Sequence, residues 1–539
     1  MIYILKLLAF VLTVGCIGFA AFRIAFTGLL SAREYRHAWL ILLATTVLAY
    51  LGKVGGVFVV GLAVVAVAGA AGLGGTVRSR LAVFLLMLVA APPVHLALGG
   101  VGGVNYLIDL THTRVLSLAL LLGPMIGLAS MPRKKDDPIR RFGWLDVAVL
   151  AFPVLKIVLI APSISIAALA RTIVETGLDI WLPYYVITRG LRAGEDLRLA
   201  LGYLMVGLVA VAAVAIGETV IQHNVYSGLQ AWYGINWQLT YALMRGAFLR
   251  VQSTTPQPII LAFELTFALG LWTLLRGHDW RQRSVQLVYV VLIVALVSTW
   301  SRGPWLSAGL MVLCFAAAVA LPTGAFRLSF FGFLAAALLI NLTGLDESLF
   351  AGLRALFEDA DAKSSSIDYR RELLETALAL IRQSPWIGVP NYGLHMENLR
   401  QGEGIIDVVN TYVRVALDAG LIGLGLYVLP YLLTIIALVR ELGHRAQAGA
   451  PRAAGDLFAA AALATLVALL ATIFTTSVWF VMPQLLLIAV AVPAAWLRMP
   501  AADRQPAIPV EAAPSRRGGL PAHARGLVTR EATERLQGR

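Results

Sequence analysis

The chain has 539 residues, 59% of them hydrophobic and 14% charged, with a mean hydropathy of +0.80 and a formal net charge of +13. Soluble domains run at about 45–50% apolar and about 25% charged, so this chain lacks the polar residues to cover the dry core it would need in water. A soluble enzyme, a disordered chain and a disulfide scaffold are excluded, and the composition predicts an all-α polytopic membrane protein.

A crossing needs about 20 apolar residues. Candidate spans lie near 2–22, 38–52, 54–74, 81–99, 115–130, 145–166, 168–188, 197–216, 256–275, 285–300, 303–321, 328–345, 412–438, 457–475 and 479–497. Those near 38–52 and 168–188 carry the weakest signal, so roughly 12 to 15 crossings are expected. Basic residues orient them. Arg33, Arg36, Arg78, Arg80, Arg133 to Lys135, Arg189, Arg192, Arg276, Arg283 and Arg440 fall at alternate span ends, with the arginine-rich tail on the same side. The positive-inside rule makes that side cytoplasmic. The net charge is thus read as topology, and no nucleic-acid partner is inferred. Cys16 and Cys314 both fall inside apolar runs and read as buried free thiols.

The domain reading is a transmembrane domain over 1–498, with two long outer loops at about 217–255 and 346–411, and a disordered cytoplasmic tail over 499–539. Long loops are where function concentrates. In the larger one, Asp368 to Gln383 has a helical apolar period through Leu373, Leu374, Ala377, Leu378, Leu380 and Ile381. Arg370, Arg371, Glu372, Glu375 and Arg382 occupy the other face, so an amphipathic helix on the bundle or the membrane surface is expected. Ser384-Pro385 ends it, and Gly388, Pro390 and Gly393 enforce turns.

Arginine on the outer side needs a reason, because charge near a membrane is costly. Arg302 sits in the tight Ser301-Arg302-Gly303-Pro304 joint between two apolar runs, and Arg245 and Arg250 lie just before Pro256-Gln257-Pro258. Guanidinium forks suit phosphate, so arginines converging on one outer pocket would hold a diphosphate headgroup. The plainer alternatives are a snorkelling anchor for Arg302 and solvated loop charges for the other two. His395 lies in the Gly-rich part of the large loop, where a neutral imidazole could take a proton from a sugar hydroxyl. His223 shares the outer side. Glu397, Glu403 and Asp407 are candidate bases or sugar ligands, against the plainer reading of solvated carboxylates. Trp386 and Tyr392 could stack on a sugar ring.

The run Thr299-Trp300-Ser301-Arg302-Gly303-Pro304-Trp305 resembles the Ser-Arg-Gly element of the O-antigen ligase and O-antigen polymerase family. Arg370 followed by Ser384-Pro385-Trp386-Ile387-Gly388 resembles its outer-loop pattern, and Asn410-Thr411-Tyr412 with Asp418-Ala419-Gly420-Leu421-Ile422-Gly423 resembles the entry to its next span. Arg245 with Pro256 and Pro258 is similar to the upstream arginine–proline segment. The resemblance covers roughly 195–495.

It implies a GT-C-like membrane enzyme of the bacterial inner membrane, acting at the periplasmic face as an inverting glycosyltransferase, with no metal and no cofactor. The donor would be a glycan on undecaprenyl diphosphate. The acceptor would be a growing glycan (polymerase) or lipid A core (ligase), among membrane lipid and beside a chain-length regulator or export complex. By the resemblance Arg302 and Arg245 would hold the diphosphate, with Arg370 assisting; Arg250 joins them by its place on the same loop, and Trp386, Tyr392, Asn410 and Tyr412 are the candidate sugar contacts. Many members have His-Asn where this chain has Val409-Asn410, which turns attention to His395 or Glu397 as the base and favours polymerisation of exopolysaccharide or O-antigen units over ligation. The rival class is a lipid-linked oligosaccharide flippase. It would carry mid-span charges and two similar halves; no repeat is visible here, and few basic residues fall within spans.

Overall fold

The computed structural model describes residues 2–52, 55–93, 95–99, 106–131, 143–226, 229, 243–245, 247–320, 363–389, 391–400, 406, 408–447 and 454–504. The fold is an all-α polytopic membrane architecture. Helices α1 (Ile2–Phe22), α2 (Ala32–Leu51), α3 (Gly55–Gly72) and α4 (Val77–Ala90) come first, then a hairpin of β1 (His95–Gly99) and β2 (Tyr106–Thr111). Next are α5 (His112–Ser130), α6 (Trp144–Ile160), α7 (166–190) and α8 (Gly194–Ile221). A two-residue ladder of β3 (Met244–Arg245) and β4 (Phe248–Leu249) leads into α9 (Pro258–Arg276), α10 (Arg283–Ser298) and α11 (Arg302–Ala320). The chain closes with α12 (Lys363–Gln383), α13 (Thr411–Gln447), α14 (Ala454–Ile473) and α15 (Met482–Arg498).

Among the described residues seven helices are long and apolar enough to cross a membrane, and four shorter apolar helices pack with them. The expected span at 328–345 lies outside the described residues.

Two boundaries differ from the sequence reading. The apolar run read as a span over 81–99 stops at Ala90, and its end becomes strand β1. Pro92 and Pro93 explain this: neither can donate to a helix, and the residue before a proline is pushed out of the helical region. Ala91 accordingly has ψ 128°. The tail read as unstructured from 499 forms one more turn, Ala501–Arg504; Arg504 bonds Glu441 at 2.6 Å and lies over the Trp496 ring. Residues 505–539 lie outside the described residues. Of the two thiols read as buried, Cys314 is buried and Cys16 is exposed.

Helices in lipid gain little from hydrophobic burial against one another, so close packing of small residues decides which surfaces meet. On α8, a Cβ at Gly207 would lie 2.9 Å from the Leu86 carbonyl of α4. On α9, a Cβ at Gly270 would run into Thr465 of α14.

Polar ties mark the two ends of the bundle. At the basic end, Arg276 of α9 donates to the Thr27 carbonyl at 2.8 Å, just beyond α1. There too, Asp146 of α6, 1% exposed, receives Arg189 of α7 at 2.9 Å and Arg498 of α15 at 2.8 Å. At the far end, Tyr50 of α2 donates to the Val225 carbonyl at 3.0 Å, and Thr254 to the Val89 carbonyl at 2.9 Å.

The expected amphipathic helix is α12. It buries Leu373, Ala377 and Leu380 in a small separate core with Met396, Leu399, Val408 and Leu417. The large loop therefore folds on the start of α13, and α13 itself is broken there. Gly420 has φ 66° and ψ −169°, a conformation open to glycine and strained for other residues. The carbonyls of Pro385 and Trp386 accept the N–H groups of Leu421 (2.7 Å) and Ile422 (3.3 Å), while Val389 donates to the Leu417 carbonyl at 2.7 Å. A Cβ on Gly420 would collide with the Trp386 backbone, and one on Gly388 with the Leu417 carbonyl. Ser384 to Gly388 and Asp418 to Ile422, separate motifs in the sequence, are one interlocked joint.

Candidate active site

The far end of the bundle is built around the turn Thr299-Trp300-Ser301 between α10 and α11. Trp300 takes a left-handed φ of 52°. Strained backbone of this kind persists only where its surroundings over-determine it. Those surroundings are arginines. The Arg245 guanidinium, on β3, donates to the Trp300 carbonyl at 2.9 Å. Arg250 donates to the Thr299 carbonyl at 3.2 Å and to Ser301 Oγ at 3.1 Å. The Phe248 ring stacks on Trp300 with centroids 5.3 Å apart, and Val251 donates to the Ser298 carbonyl at 3.4 Å. Arg302, the next residue, opens α11 with its side chain exposed.

Three cations therefore meet at one turn. Burial, and then the neighbouring charge of Arg245, push the Arg250 guanidinium down to about 10, so it remains a cation at neutral pH. Among the described residues neither Arg250 nor Arg302 pairs with a carboxylate. Arg250 has five N–H donors and spends two on the turn. Guanidinium forks are chemically suited to phosphate oxygens.

Two supports went unread in the sequence. Glu218, wholly buried at the end of α8, accepts backbone N–H groups from Val225 (2.9 Å), Gln252 (3.0 Å) and Ser253 (2.8 Å), stapling the segment that carries Arg250. A glutamate closing a long apolar run was the available signal. The second support is the hydroxyl-rich link from α14 to α15. Gly303 abuts Thr475; Thr411 donates to the Thr476 carbonyl at 2.6 Å; Ser477 donates to the Val408 carbonyl. Through this link the Arg302 turn, the start of α13 and the Arg245–Arg250 segment form one contiguous network.

The other nominated residues divide. Asn410 caps α13, its Oδ1 accepting from Tyr412 N (2.9 Å) and Val413 N (3.3 Å), and the Tyr412 hydroxyl donates to the Leu470 carbonyl at 2.9 Å. Both polar groups are thus used within the fold at the start of α13. Tyr392 packs on the small loop core. His395 and Glu397 lie exposed on the short turn Tyr392–Leu399. Glu397 receives Arg400 at 2.7 Å, and that bond holds its carboxyl below the usual carboxylate range. Among the described residues no hydrogen bond or ion pair joins this turn to Arg302. His223 contacts Tyr3 of α1. Trp386 is 65% exposed beside α13. The side chain of Arg370, and Glu403 and Asp407, lie outside the described residues.

Residues 287–428 match the family model for O-antigen ligase. This is the family whose elements the sequence resembles. The O-antigen ligase match begins in α10 and ends in α13, so it takes in the Arg302 turn and the interlocked Gly388–Gly420 joint and stops short of Arg245 and Arg250. No curated protein matches the chain.

Proposed function

We propose that the protein is a membrane glycosyltransferase that polymerises undecaprenyl-diphosphate-linked oligosaccharide units into exopolysaccharide or O-antigen at the periplasmic face of the bacterial inner membrane. The carrying observation is the convergence of Arg245 and Arg250 on the turn that presents Arg302. The acceptor sugar's hydroxyl oxygen bonds to the anomeric carbon as the carbon–oxygen bond to the diphosphate breaks, and the configuration inverts. The electron pair leaves with the diphosphate, where the arginines stabilise the growing charge; this is where preorganised donors help most. The hydroxyl proton passes to the His395 imidazole. Glu397 is the weaker candidate, because its pairing with Arg400 lowers its basicity.

The competing reading is ligation to lipid A core, which the description of the matching family model favours. Purified protein given an undecaprenyl-diphosphate oligosaccharide, with and without lipid A core, separates the two. Chain growth without the core acceptor supports polymerisation, transfer only to core supports ligation, and no transfer in either arm overturns both.

A further inference from the structure

The large loop is secured to the bundle on one side of α12, and a second side of that helix is left apolar. Leu374 and Leu378, one turn apart, are 43% and 42% exposed. Just beyond the end of the helix at Gln383, Trp386 and Ile387 are 65% and 52% exposed. Glu372 lies on the opposite side, while Glu375 and Arg382 flank the stripe; all three are exposed.

The depth of this patch follows from α13. From Leu421 to Val439 that helix has nineteen residues without a charge, bounded by Asp418 and Arg440. At 1.5 Å per residue the stretch is about 28 Å long, close to the roughly 30 Å hydrocarbon thickness of a bilayer. Gly420 therefore marks one edge of the hydrocarbon layer. The Lys156–Asp418 pair, at 3.4 Å, lies just beyond that edge. Leu421 and Ile422, the first two residues inside, are each 46% exposed, and their N–H groups are held by the carbonyls of Pro385 and Trp386. Trp386 and Ile387 are thus fixed by backbone bonds at the boundary where tryptophan is enriched.

We propose that α12 and the Trp386–Ile387 turn form a membrane-docking surface, laid in the headgroup–acyl boundary of the leaflet on the arginine-turn side. Its occupant is bilayer lipid, because the patch is continuous with the lipid-facing side of a spanning helix. Trp386 then contacts lipid and not sugar. A helix with an exposed apolar stripe flanked by charged residues lies in the interface in this way. The proposal stands apart from any catalytic reading, and its test has no catalytic readout.

The test uses the full-length protein with Cys16→Ala and Cys314→Ala, reconstituted in phosphatidylethanolamine–phosphatidylglycerol vesicles. Nitroxide labels are placed singly at positions 374, 378, 387 and 375, and their collisions with oxygen and with a water-soluble nickel chelate are compared. The expected result is oxygen-dominated relaxation at 374, 378 and 387 and nickel-dominated relaxation at 375. Nickel-dominated relaxation at all four positions would overturn the proposal. Exclusion of both reagents at 374 and 378 would also overturn it, by showing that a protein, a second copy or another chain, covers the stripe.

Discussion

Arg302, Arg250 and Arg245 were legible in the sequence because a guanidinium on the far side of a membrane protein has no topological reason to be there. What holds them was not legible. Glu218 reads as one acidic residue at a loop entrance, and only the folded chain shows three backbone N–H groups on its oxygens. Thr475 and Thr476 are neutral in any hydropathy profile, yet they join the arginine turn to α13. The arginines differ in what they offer a phosphate. Arg302 carries no bond to the turn, so Arg302→Lys keeps the charge and loses the fork. Each lost charge-assisted bond is worth about 1.5–3 kcal/mol, so transfer by Arg302→Lys is expected to fall by about tenfold or more in the purified assay, with the protein still in the membrane. Wild-type rates in that variant would remove bidentate phosphate binding. His395→Ala is expected to lower the transfer rate by about 100-fold or more. Glu397→Gln, by contrast, is expected to change it little, since that carboxylate is already committed to Arg400. If the two variants swap places, the base is Glu397.

At the scale of elements, helical periodicity found α12. The failures have local causes. Proline pairs inside apolar runs, as at Pro92-Pro93, end helices that hydropathy alone would continue. The break at Gly420, a residue the sequence reading placed at the entry to a span, was not foreseen because glycine is common in membrane helices, so a glycine that breaks a helix looks like one that packs it. The joint it forms gives a prediction of its own. Gly420→Ala and Gly388→Ala each put a methyl group into backbone already in contact and force an alanine to positive φ. The conformational cost alone is about 1–3 kcal/mol. Both variants are expected to increase protease cleavage in the 363–410 loop in intact vesicles, whereas Gly425→Ala, with open space around it, is expected to leave cleavage unchanged. Equal cleavage in all three would show that the joint does not secure the loop.

Across the whole molecule, composition and the charge of alternate span ends were enough for the all-α membrane class. The ties between distant helices were not readable, because they join residues far apart in the chain, from 43 positions for Arg189 to 352 for Arg498 in the case of Asp146. Asp146 is the clearest case: its carboxylate joins α6, α7 and α15 through Arg189 and Arg498. Removing one partner of a buried pair costs about 3–5 kcal/mol, because the other is left uncompensated. Asp146→Ala is therefore expected to lower the temperature at which half the protein survives heating in detergent, with donor binding at the opposite end retained. An unchanged midpoint would mean that water already serves Arg189. The same scale of view gives the broken helix α13 a meaning in biogenesis. The carbonyls that complete its outer turn belong to Pro385 and Trp386, which leave the ribosome before α13 does. On the reading that the large loop faces the periplasm, the turn after the break at Gly420 closes only once that earlier stretch of chain has crossed the bilayer, so translocation of the large loop becomes a step in the insertion of the span that follows it.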